Sequence, residues 1–303
     1  MTEIPVPVGT EDPTGVFVEH RELLFGVVYN MLSSVTDTED VLQDTWLSWS
    51  RRGTGGVDNP RAYLVRIAVN HALKRRAVVD RRRETYVGPW LPEPLVTEEP
   101  GADDPALRTE SVSLAMLVVL ESLSPLERAV FVLHEVFGYA HTEIAEIIDR
   151  KPAAVRQLAH RARDHVQARR PLYEAHQRVR REATERFVRA AVGGDIAELM
   201  EILAPDVTVW TDGGGMRKQA LRPVHGRDKA ARLLTGYARR GGAHLDLELR
   251  HRRVNGDDAA VLFSHDSPYA VIVLDLTPEG DRVANLFVVT NPDKLTHVDK
   301  EEA

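Results

Sequence analysis

The chain has 303 residues and a formal net charge of −7, from 39 basic and 46 acidic side chains. This length predicts two or three domains, because single cores rarely grow beyond about 250 residues. The absence of cysteine excludes a disulfide framework, a thiol nucleophile and a Cys-ligated metal site. The apolar runs are short, and the acidic, proline-broken start lacks a signal-peptide pattern. We therefore expect a globular cytoplasmic protein without a membrane segment.

Charged residues are grouped in blocks along the chain. Residues 61–83 carry eight bases and one acid, for a local charge of +7. Residues 84–110 carry seven acids and one base (−6), and residues 150–170 carry seven bases and one acid (+6). The overall charge argues against nucleic-acid binding, but the two basic blocks favour it, because phosphate contacts need local positive charge. The pattern indicates two basic segments joined by an acidic, proline-rich linker.

The N-terminal third has apolar residues at helical spacing, which predicts helices. Thr36 and Glu39 fit a capping box, in which each side chain satisfies a backbone amide at the start of a helix. The helix that follows would carry acidic residues on one face, and such a face is often simply solvated. Asn59 and Pro60 suit the cap and first residue of the next, basic helix. The acidic face consists of Asp37, Asp40 and Asp44.

Residues 138–166 have the spacing of a helix-turn-helix. Ser124 and Glu127 form a second predicted capping box upstream of it. A turn near Asp149 would separate a short helix from a second helix that starts near Pro152 and enters the DNA major groove. The alternative is a plain helical hairpin with a solvated basic face. The outward positions that suit base edges and phosphates are Arg156, Gln157, His160 and Arg161, and those that suit the DNA backbone are Arg163, Arg169 and Arg170.

After about Pro171 the pattern changes to that of a separate α+β domain. Helices are predicted over about 178–192 and 227–240, with a strand at 207–211 between them. Four alternating strands follow, and turn signals separate them. These turn signals are Asn255-Gly256 and Pro278-Glu279-Gly280.

Three stretches together resemble an extracytoplasmic-function (ECF) sigma factor, a small sigma-70-type subunit of bacterial RNA polymerase. They read DTEDVLQDTWLSW, YLVRIAVNHALKRR and LSPLERAVFVLHEVFGYAHTEIAEII…VRQLAHRAR. The resemblance covers region 2 at 16–83 and region 4 at 113–170, and it implies two all-α domains. One departure is Asp149, which stands where this turn often has glycine, although Asp tolerates the left-handed conformation better than most residues.

The resemblance implies three groups of site residues, with core RNA polymerase and promoter DNA as partners. The residues expected to dock on the polymerase β′ coiled coil are Asp37, Glu39, Asp40, Gln43, Asp44 and Trp46. The residues expected at the minus-10 element are Tyr63, Asn70, His71, Lys74, Arg75 and Arg76. The residues expected at the minus-35 element are Ala154, Arg156, Gln157, His160, Arg161 and Arg163. Tyr63 fits a core position as well as a base-stacking one.

A third set of motifs lies in the linker (84–112) and the C-terminal part (171–303). They are WLPEP (Trp90, Leu91, Pro92, Glu93, Pro94), DGGG (Asp212, Gly213, Gly214, Gly215) and NPDKL (Asn291, Pro292, Asp293, Lys294, Leu295). Together they resemble sigma factors with a C-terminal SnoaL-like extension, a cone-shaped α+β domain related to polyketide cyclases. Where that group usually has Lys after DGGG, this chain has Met216-Arg217-Lys218.

The resemblance implies that the extension regulates the sigma domains in cis, with WLPEP against the DGGG loop. An enzyme is the less favoured hypothesis, because the available acid–base groups have no diagnostic spacing. We expect no catalytic residue, cofactor or metal, and the sequence leaves open a small ligand in the cone. The alternative function is a helix-turn-helix regulator with a ligand-binding SnoaL-like module, but it leaves the acidic helix and 59–76 without a function. The acid–base groups are Asp206, Asp212, His225, His265 and Asp266.

Overall fold

The computed structural model describes most of the chain, and its contacts divide those residues into two compact units. The described residues are 12–52, 56–97, 112–169, 177–241 and 247–298. Within them, the first unit contains 12–80 and 123–165, and the second contains 81–97, 112–122 and the residues from 166 onward. The sequence predicts a different division, into region 2, a linker, region 4 and a C-terminal domain. The two compact units do not test that prediction.

The described part of the chain contains ten α-helices, a π-helix (Val132–Val136), a 3-10 helix (Pro292–Lys294) and seven strands. The helices are α1 (Pro13–Leu32), α2 (Val35–Arg52), α3 (Pro60–Glu84), α4 (Leu114–Leu120), α5 (Pro125–Phe131), α6 (His141–Ile147), α7 (Pro152–Gln167), α8 (Gln177–Gly193), α9 (Ile196–Ile202) and α10 (Arg227–Gly241). The strands are β1 (Val96–Thr97), β2 (Leu203–Asp212), β3 (Val224–His225), β4 (Leu247–Val254), β5 (Asp257–Ser264), β6 (Ser267–Leu276) and β7 (Val283–Val289). Helical elements in the first half, followed by an α+β domain, confirm the predicted fold class.

Local capping explains where several helices of the first unit begin. The Asn59 side chain accepts a hydrogen bond from the Ala62 amide at 3.0 Å, and Ser124 forms the predicted capping box with Glu127. The expected box at Thr36 and Glu39 is wrong, because α2 already begins at Val35.

Ser34 takes the capping role at the start of α2 instead of Thr36. Its hydroxyl accepts from the Asp37 amide at 3.2 Å. The Glu39 carboxylate is two residues too far along the helix to reach back to the cap, and it pairs with Arg21 at 2.7 Å. A serine two residues upstream thus outcompetes the predicted threonine.

The helix-turn-helix of the first unit is formed by α6 and α7. Asp149 adopts the left-handed conformation, with φ of 52°, at the turn between them. Val155, Leu158 and Ala162 are buried, as their helical spacing predicts. The exposed face of α7 is therefore the one that carries its basic side chains.

Arg128 of α5 ties the end of α1 into the first unit. Its side chain is buried, with Nε donating to the Asn30 carbonyl at 2.8 Å and Nη2 donating to Ser33 Oγ at 2.5 Å. Ser33 itself closes α1 in the left-handed conformation. Burial, together with the nearby charge of Arg76, lowers the pKa of Arg128 well below its ordinary value. The guanidinium thus supplies donors to two acceptors at this helix end, where the backbone carbonyls lack partners within the helix.

The second unit is built on one seven-stranded sheet with the order β1-β4-β5-β6-β7-β2-β3. Neighbouring strands are antiparallel except β2 and β7, which run parallel. Side chains alternate between the two faces, so each face has its own apolar cluster. One cluster packs with helices α8, α9 and α10, and the other contains Leu91, Leu114 and Ala115 together with residues of β5, β6 and β7. The linker and α4 thus complete the second face of the sheet.

Sequence signals located most of these elements. Asn255 and Gly256 both have positive φ and form the predicted turn between β4 and β5. The short helix α9 and the strand β1 were not expected, although Asp195 caps α9 by accepting from the Glu198 amide at 3.0 Å. Among the described residues, no helix combines the length and apolar character that a bilayer crossing requires.

We expect Arg128→Met to loosen the C-terminal end of α1. The change leaves the Asn30 carbonyl and the Ser33 hydroxyl without this donor, at a cost of about 2 kcal/mol. Hydrogen exchange at the Ser33 amide, which donates to the Tyr29 carbonyl, measures this local stability. The control is Arg163→Met, which removes only an exposed pair with Glu135 and should cost less than about 1 kcal/mol. Equal protection in both variants would contradict the assignment.

Candidate nucleic-acid interface and linker-binding site

The predicted minus-35 residues lie along the exposed face of α7. Arg156, Gln157 and His160 are exposed, whereas Ala154 is half-buried near the start of the helix. This start is the end that a recognition helix presents to base edges. Two further members are exposed but engaged in ion pairs, Arg161 with Glu127 at 3.2 Å and Arg163 with Glu135 at 2.5 Å. The first two thirds of α7 therefore offer side-chain donors on one surface.

The predicted minus-10 residues are divided between exposed and buried positions. Lys74 is exposed, and His71 is half-buried with Nε2 3.2 Å from Ser48 Oγ. Tyr63 is half-buried, with its ring 5.9 Å from that of Trp49. The Tyr63 ring is thus partly packed in the core and partly exposed, which agrees with both roles that the sequence analysis left open.

Asn70 and Arg76 make internal contacts within the first unit. The Asn70 side chain donates to the Ile147 carbonyl at the end of α6, at 3.1 Å. Arg76 is buried, pairs with Asp80 at 2.8 Å and donates to the Met31 carbonyl. Arg76 therefore supports α3 from inside, and its guanidinium is not part of the exposed basic surface.

The acidic residues of α2 differ in their exposure. Gln43 and Asp44 are exposed, and Trp46 packs its ring 5.4 Å from that of Phe17. Asp37, which the sequence grouped with the exposed acids, is buried. The carboxylates available at the surface of this helix are thus fewer than its sequence suggests. They are Glu39, Asp40 and Asp44.

Arg75 joins the acidic helix to the basic one. Its Nε donates to Asp37 Oδ1 at 2.7 Å, and its Nη2 donates to Asp40 Oδ2 at 2.5 Å. Burial pulls the pKa of Arg75 down, but hydrogen bonds and charges of the two carboxylates outweigh it and leave that pKa above its ordinary value. A predicted minus-10 residue is therefore held by two predicted polymerase-docking residues.

The second site is centred on Asp212, which is fully buried at the end of β2. Its carboxylate accepts from the Leu91 amide at 2.9 Å, the Gly214 amide at 3.1 Å and the Lys294 ammonium at 2.8 Å. The Tyr86 hydroxyl is a further donor to it. A buried carboxylate is stable only when it is compensated in this way. We call this set of contacts the linker-binding site.

Lys294 supplies the charge that compensates Asp212. Its Nζ also donates to the Leu91 carbonyl at 2.5 Å and lies 3.6 Å from the centre of the Trp90 ring. The Tyr86 ring is on another side, at 5.0 Å. Burial lowers the pKa of Lys294 to about 8, although Asp212 acts in the opposite direction. Burial and the Asp212 carboxylate raise the pKa of Tyr86, so its hydroxyl stays protonated as a donor.

The glycines after Asp212 allow the loop to approach the NPDKL segment closely. Gly214 has φ of 61°, and a Cβ there would come within 2.6 Å of the Asn291 amide group. Asn291 in turn donates to the Tyr86 hydroxyl at 2.8 Å. The structure therefore brings WLPEP, DGGG and NPDKL together, as the sequence predicts for the first two. Sequence reasoning missed Tyr86, although an aromatic four residues before Trp90 was visible.

The remaining motif residues surround this centre. Pro92, Glu93 and Pro94 are buried, and Glu93 Oε1 lies 3.7 Å from His297 Nε2. Leu295 belongs to the same apolar cluster as Leu91. Of the other members, Gly213 is buried and Pro292 is half-buried, whereas Gly215 and Asp293 are exposed. In the Met216-Arg217-Lys218 stretch that follows DGGG, Arg217 donates to the Tyr269 carbonyl and lies 4.2 Å from the centre of the Tyr269 ring.

The acid–base groups considered for catalysis do not converge. Asp206, His225, His265 and Asp266 are exposed, whereas Asp212 is buried within the linker-binding site. No group of three metal-ligating side chains occurs in the described parts of the chain.

Three family matches cover most of the chain. Residues 16–83 match Sigma-70 region 2, residues 113–166 match Sigma-70, region 4, and residues 184–291 match the SnoaL-like domain. The chain is 36% identical over 284 residues to the ECF RNA polymerase sigma factor SigJ of Mycobacterium tuberculosis, covering 91% of each protein. The chain belongs to the ECF sigma factors. Sigma factors of this family bind core RNA polymerase and direct it to promoter DNA. The acidic helix and 59–76, which the alternative of a helix-turn-helix regulator leaves unexplained, both lie inside the region 2 match.

Other relatives agree with this membership. The probable ECF sigma factor SigI of M. tuberculosis is 28% identical over 280 residues, with 91% of this chain and 92% of SigI covered. The crystal structure of M. tuberculosis SigJ superposes with a TM-score of 0.73 at 31% identity, covering 94% of this chain and 98% of that one. The C-terminal domain is thus shared with a solved sigma factor along with the two sigma regions.

We expect the stability of this sigma factor to depend on pH through Lys294. Its pKa is about 8 in the folded protein, below the ordinary value of 10.5. Between these values the unfolded chain binds more protons, so the free energy of unfolding rises with pH, by about 3 kcal/mol at most. Urea unfolding from pH 7.5 to 10.5 measures this slope. Lys294→Met should lack it, and the exposed Lys229→Met should retain it; equal slopes in all three proteins would contradict the assignment.

Proposed function

We propose that this sigma factor is restrained in cis by its C-terminal domain, which holds the segment that joins region 2 to region 4. The observation that carries this proposal is the linker-binding site, where Asp212 and Lys294 bind the backbone of Leu91 on both its amide and carbonyl sides. This segment would have to change its position whenever the two DNA-binding regions move apart.

The distance between the promoter elements supports such a movement. The minus-35 and minus-10 elements are named for positions about 25 base pairs apart, which is roughly 85 Å of B-form DNA. In the first unit, by contrast, the Asn70 amide group lies 3.1 Å from the carbonyl of Ile147, at the end of the first helix of the helix-turn-helix. Asn70 cannot keep this contact while regions 2 and 4 occupy both elements, so the first unit corresponds to a closed arrangement.

The described part of the linker is fixed at two places in the second unit, and the start of the region 4 match is fixed there at a third. Leu91 is in the linker-binding site, β1 pairs with β4, and Leu114 of α4 packs in the second cluster of the sheet. Release of these contacts would shift the population toward an open sigma factor, whereas their retention would favour the closed one. The C-terminal domain therefore acts on promoter recognition through the connector.

We assign the surface residues to partners by their exposure and charge. Asp40, Gln43 and Asp44 would meet the basic surface of the β′ coiled coil, with Asp37 supporting them from inside. Residues of α3 would meet the opened minus-10 strand, and residues of α7 would read the minus-35 element. These are Tyr63, His71, Lys74 and Arg75 for the former, and Arg156, Gln157 and His160 for the latter.

The C-terminal domain has a binding role in this proposal and no catalytic one. Asp212 is committed to Lys294 and Tyr86, and the other acid–base candidates face solvent. We also assign the protein to the cytoplasm, because its polymerase partner acts there.

The proposed restraint by the C-terminal domain can be tested by adding one methyl group at Gly214. We expect Gly214→Ala to disrupt the linker-binding site, because its Cβ would clash with Asn291, and thereby to raise transcription at limiting core polymerase. Run-off assays on promoters selected by the wild-type holoenzyme measure this effect. Gly194→Ala is the matched control: it has the same positive φ, but its Cβ has nothing within 4 Å.

Two results would contradict the restraint. One is equal transcription by Gly214→Ala and Gly194→Ala at matched core binding. The other is lower transcription by Gly214→Ala with unchanged core binding, which would make the contact an activating one.

The minus-35 assignment has its own test. We expect Arg156→Ala and Gln157→Ala each to lose about 1–3 kcal/mol of discrimination between correct and altered minus-35 sequences, because base contacts carry that energy. Holoenzyme binding to promoter variants measures it. Arg169→Ala should weaken binding to all sequences alike, and an unchanged preference in the first two variants would refute the assignment.

A further inference from the structure

The contact between Arg75 and two carboxylates of α2 is the starting point. Arg75 belongs to the basic helix α3, whereas Asp37 and Asp40 both belong to the acidic helix. All three lie within the first unit, at distances of 2.7 and 2.5 Å. One cation between two anions has a net charge of −1. In this arrangement the two carboxylates outweigh the Arg75 guanidinium, and the group as a whole disfavours an approaching phosphate.

The two carboxylates are not equivalent. The Asp37 side chain is 3% exposed, so separating Arg75 from it would remove a cation from a buried carboxylate, which is costly. The Asp40 side chain is 48% exposed and the Arg75 side chain 32% exposed, so their contact lies at the surface. Surface ion pairs are weak and exchange partners easily. Asp40 can therefore leave Arg75 while Asp37 remains.

We propose that Asp40 is an exchangeable cap on Arg75: a basic side chain of core polymerase takes over Asp40, and the outer edge of Arg75 then takes a phosphate of the opened promoter strand. This inference rests on the proposed docking of α2 on the polymerase and of α3 on the minus-10 strand. Asp40 is a positioning residue in this scheme, because it acts on DNA only through Arg75.

The exchange couples the two partners through a single ion pair. Without polymerase, the pair Asp37–Arg75 carries an extra negative charge that disfavours phosphate. With polymerase, the remaining pair is neutral and its guanidinium has donors directed to the surface. Thermodynamic linkage makes the effect reciprocal, so DNA bound to Arg75 favours polymerase binding at Asp40 to the same degree. The ion pair thereby lowers the affinity of the basic helix α3 for DNA as long as polymerase is not bound.

The test compares two aspartates on the same helix in the full chain. We expect Asp40→Asn to bind a short fluorescent oligodeoxythymidylate about fivefold more tightly at low salt than the wild type does. Its slope of log affinity against log salt, between about 50 and 200 mM, should become steeper by about 0.7, the value for one more phosphate contact on a single strand. Asp44→Asn removes the same charge from an exposed position that is not paired with Arg75, and it should change neither quantity by as much.

Two further variants connect the gain to Arg75. In the double variant Asp40→Asn, Arg75→Ala, the steeper slope should disappear, because the guanidinium that makes the additional contact is gone. Asp40→Glu keeps the charge and should behave as the wild type. A gain in the double variant equal to that in Asp40→Asn would overturn the role of Arg75.

The holoenzyme supplies the remaining comparison. Bound to core polymerase, Asp40→Asn and the wild type should have the same salt slope, because the cap is already displaced. The proposal is overturned if Asp40→Asn gains no affinity for the oligonucleotide without polymerase, including the case in which neither protein binds at the lowest salt. A separate titration with core polymerase tests the proposed docking of α2 on its own. If Asp40→Asn and Asp44→Asn bind core polymerase as tightly as the wild type, the docking is refuted, whatever the oligonucleotide measurements give.

Discussion

A buried carboxylate, Asp212, is the constraint on which the arrangement of the second unit depends. It is surrounded by donors from the linker, its own loop and the NPDKL segment, and a buried anion is costly unless such donors remain in place. Lys294 is equally dependent, since its ammonium is stabilised by Asp212, the Leu91 carbonyl and the Trp90 ring. Each partner thus requires the others. That mutual dependence makes the linker part of the C-terminal domain.

Signals that act over a few residues could be predicted from the sequence. Asn59 and Ser124 cap helices because their partners are three residues away, and Asp149 forms a turn that depends on its own backbone. The alternation of the C-terminal strands and the turn at Asn255 are equally local. The meeting of WLPEP with DGGG followed from the resemblance to sigma factors with a SnoaL-like extension, because the residues alone indicate only that an apolar Trp in an acidic linker needs a partner.

Burial that depends on distant partners could not be predicted. Asp37 and Arg76 are charged and would ordinarily be expected on exposed helix faces. Both are buried, because each contacts a partner on another helix. Helical periodicity says which residues share a face, and it leaves undetermined which face another helix will cover. Thr36 lost its capping role for a similar reason, because a competing Ser34 lay just upstream. The role of Lys294 required the aromatic rings that only the folded linker provides.

The position of α4 has a consequence for how such proteins can be divided. Residues of α4 fall inside the match to region 4, and yet Leu114 and Ala115 pack in the cluster that finishes the sheet of the C-terminal domain. A cut after the helix-turn-helix leaves α4 with an uncovered apolar face and the sheet with an unfinished one. The border of the region 4 match in the sequence therefore does not coincide with the border of the second compact unit, which includes α4. A fragment that begins after the helix-turn-helix would therefore lack Leu114 and Ala115, which belong to the core of its own sheet.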